Sequence, residues 1–365
     1  MPKVEAPSPK NRNGAKPAPE PQMSPKSALK ADQYRKLDRL GEGSFGTAYL
    51  VEKVDEPNHK RFVLKEIRCR DKEQVIDALR EMVTMRILQC PWVVRYEDYW
   101  TEDLNVILVM EYCPGGDLYK EMNKALKRRS HLPEETVIKW FTQIALGLNE
   151  VHNRAFMHRD IKPSNVLLDS EGNAKLGDFG LTNNIGGADI NESYRGTICG
   201  TPGFLSPEIE RGDKYNVKSD VWALACTLYE MLALRSVFQD TLDGTFPGPI
   251  PDVYSQEICD LLKTMLVPEM ALRPHVRDVL KIPIVARCAR KLSGLPEEPS
   301  PSENEAKTET QSDASPDSPL NLSELGVKLK NLQFDSVCKD IKAHPITAFY
   351  LTLLFIMFLK IFRIC

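Results

Sequence analysis

The chain has 365 residues, enough for one large domain or two small ones. Its formal net charge of −3 gives no basis for a nucleic-acid partner, and a hydrophobic content of 42% is ordinary for a globular protein. The nine cysteines are scattered without a CxxC pair, which argues against a zinc site or a disulfide framework and fits a reducing compartment.

Residues 1–33 are rich in Pro, Lys, Ala and Ser and cannot bury a core, so they are expected to be disordered. No apolar stretch of signal-peptide type opens the chain. From Tyr34 the pattern changes. "YRKLDRLGEGSFGTAYLVEKV" and "RFVLKEIRC" read as strands around a Gly-rich turn. Gly41, Gly43 and Gly46 in that turn would let backbone N–H groups approach phosphates closely, although such a triplet also occurs in plain turns. No helix follows it, which counts against a dinucleotide-binding fold. Lys65 closes the apolar run "FVL", either as a solvated strand end or as a cation aimed at phosphates. "KEQVIDALREMVTMRILQ" has helical spacing, and Glu81 on it is placed to pair with Lys65; Glu73, nearer the helix start, suits a solvated end. "NVILVMEYC" is a strand of buried type.

Beyond "PGGDL" the chain turns helical. "PEETVIKWFTQIALGLNEVHN" reads as a long amphipathic helix with Pro133 near its start. A strand-rich part followed by a helix-rich part predicts an α+β fold of two lobes. "VHNRAFMHRDIKPSNVLLDSEGNAKLGDFG" then places Asp160, Lys162, Asn165 and Asp178 around a hairpin, "NVLLD" and "KLGDFG" being its strands. Two acids and an amide gathered by a hairpin suit metal–phosphate chemistry.

These motifs, in this order, resemble the eukaryotic protein kinases over roughly residues 34–290. The resemblance implies a bilobal kinase fold that uses ATP and Mg²⁺. It makes Gly41, Gly43 and Gly46 the Gly-rich loop, Lys65 and Glu81 the activating ion pair, and Asp160 the acceptor of the substrate hydroxyl proton. Lys162 would reach the transferred phosphate, and Asn165 and Asp178 would hold Mg²⁺. Met110 falls at the gatekeeper position, with Glu111, Tyr112 and Cys113 as the hinge that meets adenine. Ser206-Pro207-Glu208 match the end of the activation segment. Glu208 and Arg273 match an ion pair bracing the C-lobe, and Asp220 an acid supporting the catalytic loop.

Lys162 after the Asp and Thr201 in "GTPGFLSPE" imply Ser/Thr acceptors on protein substrates, and Leu181 resembles kinases that favour Ser. "GEGSFGTAYLV", "VLKEI", "VMEYCPGGDL" and "GTPGFLSPEI" together resemble the NIMA-related kinases. Arg159 is expected to meet a phosphate on Thr197, with Ser193 and Thr182 as rival sites. Ala48 stands where Val is usual, Val63 where Ala is usual, and Ala225 where Gly is common. "TLDGTFPGPIPD" is too short and too rich in Pro and Gly for the helix most kinases carry there, leaving residues 238–253 without it.

Residues 291–320 read as an acidic disordered linker and 321–344 as an amphipathic helix. Ile346 to Leu359 is an apolar run broken only by Thr347 and Thr352. At about 1.5 Å per residue it spans roughly 21 Å, and counting on to Ile364 with Lys360 and Arg363 snorkelling gives about 28 Å, near the ~30 Å bilayer core. Residues 346–364 are therefore expected to be a single-pass tail anchor, with the kinase domain cytoplasmic. Mitochondrial outer membrane and ER stay open, as do oligomeric state, pathway and activating kinase. The alternative is a tail-anchored nucleotide-binding scaffold with little turnover; a small-molecule kinase fits the activation-segment motifs poorly.

Overall fold

A computed structural model describes residues 30–43, 46–56, 58–184, 199–242 and 246–295. The N-terminal lobe is a five-stranded antiparallel sheet, β1 (Tyr34–Gly43), β2 (Gly46–Lys53), β3 (Arg61–Arg68), β4 (Tyr96–Glu102) and β5 (Asn105–Glu111), in the order β1-β2-β3-β5-β4. Side chains alternate faces along a strand. On β3 this sends Phe62 and Leu64 into a small core with Tyr34, Val51, Trp100, Ile107 and Val109. Tyr34 stacks on Trp100 there, ring centroids 5.8 Å apart. Val63 and Lys65 take the other face, opposite Met110 and Leu108 of β5. Strand β5 is apolar on both faces because both are covered: Ile107 and Val109 meet the small core, Val106 and Leu108 the main one.

Helix α1 (Lys72–Ile87) starts at Asp71, whose carboxylate accepts the Gln74 N–H, and it buries Val75, Leu79, Met82 and Met85. The main core runs from this helix into the C-terminal lobe without a break. The lobes are stitched by backbone: Val94 N–H donates to Leu176 O at 2.9 Å, and Leu176 N–H to Trp92 O at 2.8 Å. Gly147 permits this approach, because a Cβ there would lie 2.7 Å from Trp92 O.

In the C-terminal lobe, β6 (Gly116–Asp117) leads into α2 (Leu118–Lys127), and α3 (Glu134–Asn153) follows directly after Pro133. Helix α3 is buried over more of its surface than an amphipathic reading implies, with Gln143 and Thr142 inside as well as Phe141, Ile144 and Leu148. Gln143 is satisfied by Asn173 Oδ1 (3.0 Å) and the Ala174 N–H (2.8 Å). After β7 (Phe156–Met157) comes the expected hairpin, β8 (Val166–Leu168) against β9 (Ala174–Leu176), its turn held by the Asp169 carboxylate. Two-residue β10 (Asn183–Asn184) pairs with β7. The remaining helices are α4 (Pro207–Glu210), α5 (Lys218–Ala233), α6 (Val237–Leu242), α7 (Gln256–Met265), α8 (Val276–Val279) and α9 (Pro283–Leu292). Helix α5 forms the floor of the lobe, buried from Ser219 to Leu232.

Two boundaries differ from the sequence expectation. Lys30 already belongs to the fold, its ammonium bonding Asp98 at 2.8 Å and Tyr99 O at 3.0 Å. Helix α9 continues through Leu292, and Lys291 bonds Glu135 at 2.8 Å, so the linker cannot begin at 291. Of residues 238–253, expected to lack a helix, 238–242 belong to α6 and 246–253 contain none. Among the described residues no helix is long and apolar enough to cross a membrane. The amphipathic helix expected at 321–344, the anchor at 346–364, and Ser193 and Thr197 lie outside the described residues.

Candidate active site between the lobes

Three elements bring charge to one point. Lys65 of β3 donates to Glu81 of α1 at 2.8 Å and lies 3.4 Å from Asp178, just after β9. The helix phase selects Glu81: it is buried, whereas Glu73 sits in the first turn. Burial works against the Lys65 charge, but Glu81 and Asp178 outweigh it and hold the ammonium above its ordinary pKa. Burial likewise opposes ionisation of Asp178, yet Lys65 and its neighbours keep the carboxyl below the usual range. Asp178 takes a left-handed backbone, φ 56°, uncommon without glycine.

The loop after β7 is fixed from beneath by Asp220 at the start of α5. Its carboxylate accepts from His152 Nε2 (2.9 Å) and from the backbone N–H groups of His158 (2.9 Å) and Arg159 (2.8 Å). These donors hold the Asp220 carboxyl below its usual pKa despite complete burial. Burial also depresses His158, favouring the neutral ring. Its partners define the tautomer: Nε2 donates to Gly177 O at 3.1 Å, and Nδ1 accepts from the Asp160 N–H at 3.3 Å. His158 thereby ties the Asp160 loop to the segment after β9 that carries Asp178. Neither histidine stands out in the sequence as a functional residue; the signal for His158 is only its place before Arg-Asp.

Asp160 is buried and surrounded by donors. Asn165 Nδ2 reaches its main-chain oxygen (2.8 Å) and Oδ2 (2.9 Å), Lys162 Nζ lies 2.8 Å from Oδ2, and Thr201 Oγ donates to Oδ1 at 2.7 Å. Lys162 also donates to Thr201 Oγ at 2.6 Å. Arg159 has φ 67°, and its Nε donates to Leu181 O at 2.5 Å.

This pattern of paired lobes and loops has known counterparts. Residues 34–285 match the family described as Protein kinase domain. The chain belongs to the protein kinases. It is 35% identical over 272 residues to serine/threonine-protein kinase Nek1 of Mus musculus, which covers 71% of this chain and 22% of that one. It is 35% identical over 263 residues to serine/threonine-protein kinase Nek6 of Oryza sativa subsp. japonica, 69% of this chain and 48% of that one. Serine/threonine-protein kinase Nek3 of Mus musculus is 36% identical over 269 residues, 70% of this chain and 51% of that one. The chain thus spans between about a fifth and a half of these relatives' lengths.

Around the cleft of this kinase, Ala48 pairs with Lys65 across β2 and β3, and Val63 pairs with Met110. Ala48, Val63 and Met110 are all half-buried, so the exchanged residues share one wall. The Glu111 side chain is engaged elsewhere, by Lys175 (3.0 and 3.2 Å) and the Arg95 N–H (2.7 Å), and its own N–H donates to Arg95 O at 3.0 Å. Cys113 is buried, and that burial pushes its thiol up to about 12. Gly46 has a reason independent of any ligand: φ is 143°, and a Cβ would stand 1.8 Å from Glu66 O. Gly41 has open space around its Cα, and the tip between Gly43 and Gly46 lies outside the described residues.

The brace behind the activation segment is closed. Arg273, fully buried, grips Glu208 through two bonds of 2.8 and 3.1 Å. Ser219 Oγ adds a third to Glu208 at 2.6 Å. Gly203, two residues after Thr201, packs so closely on α6 that a Cβ would meet Phe238 Cβ at 2.8 Å.

Proposed function

We propose that the chain transfers the γ-phosphoryl group of ATP to Ser and Thr hydroxyls of protein substrates. The observation that carries this reading is a single bonded constellation: Lys65, Glu81 and Asp178 on one side, and Asp160, Lys162, Asn165 and Thr201 on the other. Lys162 links the halves, since it lies 2.8 Å from Asp160 and its charge also bears on Asp178. Phosphoryl transfer needs positioning and charge neutralisation more than covalent chemistry.

The donor set fits Mg²⁺. Asn165 uses Nδ2 on Asp160, which among the described residues leaves its amide oxygen available to a hard cation, and Asp178 supplies carboxylate oxygen. Bound there with the nucleotide's phosphates, Mg²⁺ would offset their charge. In this reading Lys65, oriented by Glu81, holds the α- and β-phosphates, and the backbone at Glu111 and Cys113 meets adenine below Met110. Gly41, Gly43 and Gly46 cover the phosphates. Asp160 accepts the proton leaving the substrate hydroxyl, and Lys162 carries positive charge to the moving phosphoryl group. Thr201, tied to both, fixes their spacing.

The names of the similar chains, all serine/threonine-protein kinases, favour hydroxyl acceptors of this class. A mixture of Ser, Thr and Tyr peptides with Mg²⁺-ATP tests it: label on Ser and Thr is expected, and label on Tyr overturns the acceptor assignment. Arg159 fits a control role because, among the described residues, its guanidinium has a neutral carbonyl partner, Leu181 O, where a phosphate would bind more strongly. The regulatory reading puts that phosphate on Thr197, and Thr197→Ala with unchanged activity would refute it. The reading of 346–364 as a membrane segment rests on hydropathy alone. Extraction of the full chain from membranes by alkaline carbonate would refute it.

A further inference from the structure

A cavity of about 500 Å³ lies outside the phosphate-handling cleft, where the end of α1, the turn after it, the start of β4, Glu111 and Lys175 meet. Leu88, Pro91 and Val93 give it an apolar wall. Its charge is unbalanced. The lining includes Arg86, Arg95 and Lys175 but only one carboxylate, Glu111. That carboxylate is spent on Lys175, at 3.0 and 3.2 Å, and on the Arg95 N–H, at 2.7 Å. Among the described residues the Arg95 guanidinium pairs with Glu97, at the long distance of 4.0 Å. Arg86 forms no ion pair among the described residues, and the neighbouring Tyr96 hydroxyl has no hydrogen-bond partner among them either. The Arg86 guanidinium, the Tyr96 hydroxyl and an Arg95 guanidinium held by a single 4.0 Å contact to Glu97 therefore border a hollow of ligand size with an apolar wall.

We propose that this cavity is a second ligand site, taking a small aromatic or branched acid. The carboxylate lies against Arg86 and Arg95, whose planar forks suit two-oxygen acceptors, and the apolar body lies on Leu88, Pro91 and Val93. The site has a route to the cleft. Arg86 sits on the same helix as Glu81, the partner of Lys65, so an acid drawn to Arg86 restrains the helix that orients that lysine.

Cys90 lines the cavity and reports on it. The full-length chain is treated with 5,5′-dithiobis(2-nitrobenzoate), an aryl carboxylate disulfide, and separately with neutral 4,4′-dithiodipyridine. In each case the Cys90 thiolate attacks one sulfur, the S–S bond breaks, and the released aryl thiolate carries off the electron pair. Rates are assigned by peptide mapping, with half-buried Cys259 as internal reference. Arg86→Gln with Arg95→Gln is expected to slow the carboxylate reagent at Cys90 roughly tenfold, the factor equivalent to ~1.4 kcal/mol of lost attraction. The neutral reagent at Cys90, and both reagents at Cys259, should be unchanged. In the unaltered chain, 1-naphthoate should protect Cys90, and not Cys259, from the neutral reagent. Equal slowing of both reagents, no slowing, no protection by naphthoate, or a Cys90 inert to both reagents would each overturn the proposal.

Discussion

Arg273→Met breaks the brace behind the activation segment, and its cost follows from the contacts. The arginine is 0% exposed and makes five hydrogen bonds, two to Glu208 and three to the main-chain oxygens of Val267, Lys218 and Pro268 at 3.0, 3.0 and 3.3 Å. Methionine fills much of the volume but leaves the Glu208 carboxylate, 2% exposed, without a cation and bonded to the Ser219 hydroxyl. An uncompensated buried charge of this kind costs about 3–5 kcal/mol. The acid's own titration points the same way. Burial opposes its ionisation, yet Arg273 and Ser219 bring the carboxyl down to about 2 from its usual 4.5. That shift corresponds to roughly 3 kcal/mol of stability at neutral pH. The loss is large beside a total of about 5–15 kcal/mol for a domain. Urea unfolding followed by tryptophan fluorescence reads it, and pH separates charge from packing. In the native pair the depressed carboxyl contributes its stability above the usual carboxylate pKa and loses it as pH falls from about 4.5 towards 2, so pH 7 and pH 5 should agree. In Arg273→Met the cation is gone and burial raises the carboxyl, so the penalty is largest at pH 7 and shrinks towards pH 5. A loss below about 1 kcal/mol, or the same loss at both pH values, would refute the reasoning.

The other predictions concern the cleft and its frame. Lys65→Met should lower kcat by at least about a hundredfold, because Glu81 and Asp178 lose the cation between them; steady-state kinetics with a circular dichroism control checks it. Thr201→Val removes the hydroxyl bonded to both Asp160 and Lys162 and should cost roughly tenfold in kcat, whereas Thr201→Ser should restore most of it. Gly46→Ala must push a Cβ against Glu66 O at a φ of 143°, and a loss of at least ~2 kcal/mol is expected by thermal unfolding. Gly41→Ala, in open space, should stay within about 0.5 kcal/mol on the same measure.

Local pattern made much of this fold legible. The period-two alternation of "RFVLKEIR" places Lys65 opposite Phe62 and Leu64 across the sheet, and the hairpin around Asp169 is plain in "NVLLDSEGNAKL". Other features depend on contacts that no local window contains. Thr201 and Asp160 are 41 positions apart, and their bond exists only because the activation segment returns to the catalytic loop. The neutral His158 ring, bridging two loops, and the His152–Asp220 bond arise from burial rather than from spacing. Gly46 belongs to the Gly-rich turn by pattern, but its steric necessity comes from β3. The fold runs past the expected boundary at 290 because α9 carries it to Leu292; "VARCARKL" mixes basic residues with a narrow apolar stripe, and within the helix Ile284 and Val285 are the buried residues. Glu111, read as hinge, turns its carboxylate to Lys175, and the spare charge of the second cavity follows from that pairing.

The central claim is that the Asp160 constellation performs phosphoryl transfer to hydroxyl acceptors. The most direct measurement is transfer from γ-labelled Mg²⁺-ATP to a Ser/Thr protein substrate by the full chain and by Asp160→Asn, with nucleotide binding measured for both. The account predicts phosphoserine and phosphothreonine from the first, a fall of at least about a hundredfold in the second, and similar nucleotide affinity for the two. Nucleotide binding without transfer by the unaltered chain, even when Thr197 is phosphorylated, would contradict it and leave a nucleotide-binding scaffold.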